Sequence, residues 1–174
     1  MKALVVVDYQ VDFVSGALGF AGAELIEPLI IEKINDCRKN GGTVIFTFDT
    51  HHENYLDTAE GRKLPVPHCI EDTEGYELYG KVRSCVESGD IVIKKPSFGS
   101  LELAQILRER NFDEVELCGL VTDICVVSNA IIAKAALPEA KITVDGNACA
   151  SFDKAAHKAA LQVMKSVQID VIND

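Results

Sequence analysis

Short apolar runs rich in β-branched residues recur along the chain, separated by longer stretches whose apolar residues are spaced three or four apart. Residues 3–7, 43–48, 91–93, 115–117, 142–144 and 168–172 are predicted strands. Between the first two, Ile26, Ile30, Ile34 and Cys37 share one face of a helix, with Pro28 in its first turn and Asn40-Gly41-Gly42 ending it. Residues 101–110 predict another helix with Ser100 as N-cap, and Ala156, Ala160, Val163, Met164 and Val167 form the stripe of the last one. Residues 123–136 are apolar nearly all round, which predicts a helix buried on more than one side, under a partner subunit in a homo-oligomer. Strands alternating with helices predict an α/β chain: a three-layer, doubly wound fold with a central six-stranded, mostly parallel sheet and helices on both faces.

The 174 residues suit a single domain, 1–174, with enough chain to bury a core. An apolar fraction of 48% and a charged fraction of 25% are those of an ordinary globular protein. A net charge of -10 opposes nucleic acid and anionic membrane surfaces as partners. No apolar run is long enough for a membrane span and the N-terminus meets Asp8 too soon for a signal peptide, so a cytoplasmic protein is expected. The six cysteines lack CxxC spacing in a chain too large to need staples, and are read as free thiols.

Reactive side chains stand where the predicted strands end: Asp8, Asp49, Lys95 and, just past the fourth, Cys125. Ligands of open α/β sheets bind outside the carboxyl ends of the strands, so these distant residues are expected to meet in one pocket. Gly119 allows a tight turn and Asp123 is a natural N-cap, which puts Cys125 in the first turn of a helix, a location that lowers a thiol pKa and offers backbone N–H groups to an oxyanion. Asp8 would take a proton from the thiol, or Lys95 would stabilise the resulting charge. Each taken alone is more often a strand cap or a solvated lysine.

Residues 50–72 form a long polar loop leaving the second strand, and such loops are usually functional or disordered. With Asp49 it carries His51, Glu60 and His68, two imidazoles and two carboxylates whose oxygen and nitrogen donors suit Zn, Mn or Fe. The opposing reading is that histidines of polar loops bind nothing. Phe13 and Phe98 are candidates to wall the pocket and stack on a flat ring. His52 is expected to face solvent, His157 to be structural or exposed, and Cys69 to serve packing.

In this order, Asp8-Tyr9-Gln10-Val11-Asp12-Phe13, the glycine-bearing GALGFAGAE, Lys95-Pro96-Ser97-Phe98 and Cys118-Gly119-Leu120-Val121-Thr122-Asp123-Ile124-Cys125-Val126 form a specific set. Through them nearly the whole chain resembles the isochorismatase-like cysteine hydrolases, and within these the nicotinamidases and related amidases. The resemblance implies a triad of Asp8 as proton shuttle, Lys95 as electrostatic support and Cys125 as nucleophile. Strand alternation puts Lys94 and Lys95 on opposite sides, and the family's lysine followed three residues later by an aromatic selects Lys95. It also implies a non-proline cis peptide joining Leu120 to Val121, with the Val121 and Cys125 N–H groups facing the oxyanion. Asp49, His51 and His68 match the residues that bind a divalent metal in nicotinamidases, Zn being expected and Mn or Fe possible. Glu60 is taken as the substitute for a third histidine that some members use.

The implied activity is hydrolysis of a small carboxamide, nicotinamide to nicotinate and ammonia, through a thioester. The alternatives are a related amidase acting on a ureido, carbamoyl or pyrazine amide and, from another class, a non-catalytic small-molecule-binding protein on the same fold. A nucleotide-binding domain would need a glycine-rich turn after the first strand, where Tyr9-Gln10-Val11-Asp12-Phe13 stands instead.

Overall fold

Alternate residues of the first strand serve two different cores. Leu4 and Val6 join the apolar cluster on one face of the sheet, while Ala3, Val5 and Val7 join the cluster on the other. All five are fully buried, as expected of a strand covered by helices on both sides. A computed structural model describes residues 1–174 and places this strand, β1 (Lys2–Val7), near the middle of a six-stranded sheet. The others are β2 (Thr43–Asp49), β3 (Ile91–Lys95), β4 (Glu114–Leu120), β5 (Lys141–Ala150) and β6 (Asp170–Ile172). Their order is β3-β2-β1-β4-β5-β6, and every neighbouring pair is parallel.

Helices α1 (Val11–Val14) and α2 (Glu27–Lys39) cover one face, where Phe13, Ile30, Ile34 and Cys37 pack on Leu4, Val44 and Phe46. Helices α3 (Leu101–Arg110), α4 (Val127–Ala136) and α5 (Lys154–Ser166) cover the other through Leu103, Leu107, Ala130, Leu161 and Met164. Proline lies in the first turn of α2, where its missing N–H has no helical partner to lose. The Ser100 hydroxyl accepts from the Leu103 N–H at 3.0 Å and caps α3.

Some elements differ from the sequence expectation. Strands β2, β3, β4 and β5 run past their predicted apolar stretches, so Asp49 and Lys95 are paired with each other as the last residues of β2 and β3. The stripe of α5 is rotated: Ala160, Leu161 and Met164 are buried, whereas Val163 is 48% exposed, because the helix leans on β5 through its Leu161 side. Asp123 does not cap a helix. Residues Thr122–Val126 form a π-helical turn without a side-chain cap, and α4 starts only at Val127. Helix α4 packs against α3, α5 and β5, burying Asn129, Ala130 and Ala133, while Ile131 is exposed. No helix is long and apolar enough to cross a membrane.

The chain runs outward from β1 to β2 and β3, then returns to lay β4 on the other side of β1. Connections leaving β1 and β4 therefore diverge to opposite faces and open a crevice at their carboxyl ends. Gly119 lets β4 approach there. Its φ is +116°, and a Cβ on it would lie 2.1 Å from the Val7 carbonyl oxygen. Replacing Ser100 by alanine removes the α3 cap and should lower the unfolding free energy by about 1 kcal/mol, seen as a reduced midpoint in urea with an unchanged slope.

Candidate active site

Asp8 leaves β1 at a φ of 43°, a left-handed conformation that costs a non-glycine residue about 1 kcal/mol and turns its carboxylate from the sheet into the crevice. The Thr47 hydroxyl donates to Asp8 Oδ1 at 2.6 Å. Lys95, from the end of β3, reaches the same point: its Nζ lies 2.7 Å from Asp8 Oδ2, 3.3 Å from Asp49 Oδ1 and 3.6 Å from Cys125 Sγ. The Ser97 carbonyl accepts from the same ammonium at 3.0 Å. The three sequence-proposed residues Asp8, Lys95 and Cys125 thus meet around one buried cation. Lys94 points away, exposed and paired with Glu71.

Burial would lower the Lys95 pKa, but Asp8, Cys125 and Asp49 together raise it, so the group stays an ammonium. Burial pushes the Asp8 carboxyl above the usual carboxylate range, against the pull of Lys95. The Cys125 thiol is pushed well above its ordinary value, first by burial and then by the Asp8 charge. This corrects the expectation of a resting thiolate: Cys125 lies in a short π-helical turn beside two carboxylates, and complete burial outweighs the helix-end field. Both groups are thus pushed upward, and a carboxyl of raised pKa beside the thiol suits proton transfer between them.

The peptide joining Leu120 to Val121 is cis, as the sequence resemblance implied. The Val121 carbonyl accepts from the Ile124 and Val126 N–H groups, both at 3.1 Å, which anchors the turn that carries Cys125.

Asp49 belongs to two groups at once. Its Oδ1 faces Lys95, while its Oδ2 lies 3.1 Å from His51 Nε2 and 3.3 Å from His68 Nε2. Glu60 Oε1 is 3.8 Å from both imidazole nitrogens. One donor atom from each of Asp49, His51, Glu60 and His68 falls within 4.8 Å of the others. The set fits a divalent cation by its chemistry. Nδ1–H of His68 donates to the Val66 carbonyl at 2.8 Å, which leaves Nε2 as the donor facing the cluster. Burial and then the Asp49 charge raise the Glu60 pKa, against the imidazoles and Lys95. For Asp49 burial works the same way, but hydrogen bonds from His51 and His68 and the Lys95 charge hold it well below the usual range.

Beside the cluster opens a cavity of about 550 Å³, lined by His51, Glu60, Lys63, Pro96, Phe98 and Ile124 among others. Phe98 is 44% exposed and forms part of its wall. Phe13 is not on that wall: it is buried, with its ring edge-on to His68 at 5.5 Å, because α1 packs it into the core beneath the loop. His52 is exposed, and His157 bonds Thr122 Oγ1 at 2.8 Å, a structural role. All six cysteines are free, and Cys69 is buried with its thiol pKa pushed far up by burial, consistent with packing.

Residues 2–173 match the family model described as the isochorismatase domain. The chain belongs to the isochorismatase family. An isochorismatase-family protein of Bacillus subtilis, PncA, is 33% identical over 171 residues, covering 92% of each chain. A crystal structure of nicotinamidase PncA from that organism superposes with a TM-score of 0.88 at 33% identity, covering 98% of both chains. The pyrazinamidase of Pyrococcus horikoshii in complex with zinc gives a TM-score of 0.84 at 27% identity, over 99% of both. Among sequences, the nicotinamidase of Acinetobacter baylyi is 28% identical over 183 residues, 87% of this chain and 82% of that one.

One residue of the isochorismatase-family site escaped the sequence reading although it stands inside a quoted motif. Gln10 is fully buried, its amide donating to the Asp49 and Tyr76 carbonyls at 3.0 and 2.8 Å while Oε1 accepts from the Asp49 N–H at 2.8 Å. A glutamine two residues past a strand-end acid, in a buried stretch, was the available signal. The raised Cys125 pKa makes a prediction. Alkylation of Cys125 by iodoacetamide, followed by peptide mass spectrometry on the protein without substrate, should be slow at pH 7 and keep rising beyond the ordinary thiol range near pH 8.5. A rate already at its plateau at pH 7 would contradict the raised pKa.

Proposed function

We propose that this isochorismatase-family chain is a metal-dependent amidase that hydrolyses nicotinamide to nicotinate and ammonia. The carrying observation is the single buried ammonium of Lys95, which touches Asp8, Cys125 and Asp49 and so joins a nucleophile with its base to a cluster of nitrogen and oxygen donors. Similarity to nicotinamidases along nearly the whole chain supports the substrate class.

In this reading Asp8 takes the Cys125 proton and the sulfur attacks the carboxamide carbon. Negative charge on the carbonyl oxygen is received by the Val121 and Cys125 N–H groups. Asp8 then gives the proton to the departing nitrogen, ammonia leaves, and an acyl thioester on Cys125 remains. Asp8 next deprotonates water, whose oxygen adds to the thioester. The carboxylic acid departs and the proton returns to sulfur. Lys95 stays an ammonium throughout and offsets the charge that passes between Asp8 and Cys125.

Asp49, His51, Glu60 and His68 would hold a divalent metal, Zn with Mn or Fe as the other choices. When bound, that ion supplies a Lewis acid that binds and orients a ring nitrogen. Phe98, part of the cavity wall, would stack against the flat ring.

Two results are expected. Cys125→Ala should abolish ammonia release from nicotinamide, with a circular dichroism spectrum like the wild type; substantial residual turnover removes Cys125 as nucleophile. Purified wild type should carry a divalent metal by elemental analysis, and His51→Ala should lose metal and nicotinamide turnover together. Full activity of a chelated, metal-free protein on ureido or carbamoyl amides favours the alternative amidase instead.

A further inference from the structure

Asp12 takes no part in the chemistry above, yet its carboxylate is committed on both oxygens. Oδ2 accepts from the Cys69 N–H at 2.7 Å and Oδ1 from the Ala17 N–H at 3.0 Å. The Ala17 bond belongs to the turn after α1 and any turn-capping acid would make it. Its partner does something else: it ties α1 to the residue immediately after His68.

Cys69 is placed to transmit that tie. Its φ is 45°, so the chain reverses there, and its carbonyl accepts from the His51 N–H at 3.0 Å. The His51 carbonyl in turn accepts from the Glu71 N–H at 2.9 Å. One residue, Cys69, therefore links Asp12 to the backbone at both imidazoles of the cluster, through its N–H on one side and its carbonyl on the other. Phe13, the next residue of α1, rests its ring edge on His68, and the Val66 carbonyl holds Nδ1. His68 is gripped at its ring, at its far nitrogen and at the peptide that follows it.

Asp12 is half-buried, and two glycines stand close against its carboxylate. A Cβ on Gly75 would lie 2.2 Å from Asp12 Oδ2, and one on Gly16 would lie 2.3 Å from Oδ1. A side chain at either glycine would therefore displace the carboxylate from its present hydrogen bonds.

We propose that Asp12 is a positioning residue for the metal cluster, fixing through Cys69 the placement of His68 and His51. The bond is charge-assisted and spans two separate segments, the kind of outer-sphere support whose loss weakens metal binding roughly 10- to 100-fold. This inference rests on the metal-dependent reading of the site.

The test is titration of Co²⁺, followed by its visible absorption, into wild type, Asp12→Ala, the milder Asp12→Asn and Gly75→Ala, which crowds the carboxylate without removing it. Imidazole ¹H–¹⁵N correlations of His68 in the metal-free proteins and the Cys125 alkylation rate accompany it. Cobalt affinity should fall roughly 10- to 100-fold in Asp12→Ala and less in Asp12→Asn, with His68 losing its fixed Nδ1–H tautomer and Cys125 alkylation unchanged. Wild-type affinity and His68 signals in folded Asp12→Ala, or in Asp12→Asn should the former not fold, overturn the proposal. So does an alkylation rate that changes in parallel, which would make Asp12 a support of the whole scaffold. If wild type takes up no cobalt the metal reading fails by itself; the His68 signals then decide, a change supporting the positioning role and none overturning it.

Discussion

A buried ammonium governs this site. Lys95 has no solvent to share its charge with, so carboxylates must gather round it, and Asp8 and Asp49 do so at 2.7 and 3.3 Å. Removing one partner of such a buried group leaves uncompensated charge, which typically costs about 3 to 5 kcal/mol. That requirement explains why β1, β2 and β3 must keep register at their carboxyl ends, and why Asp8 tolerates a left-handed backbone to face inward. The same ammonium pulls the Asp8 and Cys125 pKa values down, against the burial that raises both.

Asp49 transmits the same constraint to the loop. One of its oxygens serves the ammonium and the other faces two imidazoles, so the nucleophilic centre and the donor cluster cannot move independently. Gln10 clamps the Asp49 backbone on both its N–H and its carbonyl. The short motif after β1 thus distributes its polar groups across the site: Asp8 to the Lys95 ammonium, Gln10 to Asp49, and Asp12 to the peptide after His68. Chemistry placed on strand ends and supported by buried amide bonds is more precise than chemistry left to loops.

Burial also sets what the thiol is. A cysteine at a helix start is ordinarily acidic, yet Cys125 sits in a π-helical turn, shielded from water and beside Asp8. Burial and the Asp8 charge thus raise the Cys125 pKa, against the pull of Lys95.

Much of this molecule was already legible in the order of its residues. Periodicity of two and of three to four placed six strands and the main helices, because side-chain direction alternates along a strand and repeats along a helix whatever lies elsewhere. The strand-end positions of Asp8, Asp49, Lys95 and Cys125, with His51, Glu60 and His68 in the following loop, marked the residues that the fold brings together. Other properties belong to distances between segments far apart in the chain. The double use of Asp49, the clamp of Gln10, the absence of Phe13 from the cavity lining, the rotated stripe of α5 and the raised pKa of Cys125 all depend on contacts between separate segments. Local pattern determines which way a side chain leaves its own strand or helix; only tertiary packing decides which charge, ring or backbone it meets there, and hence its pKa and its role.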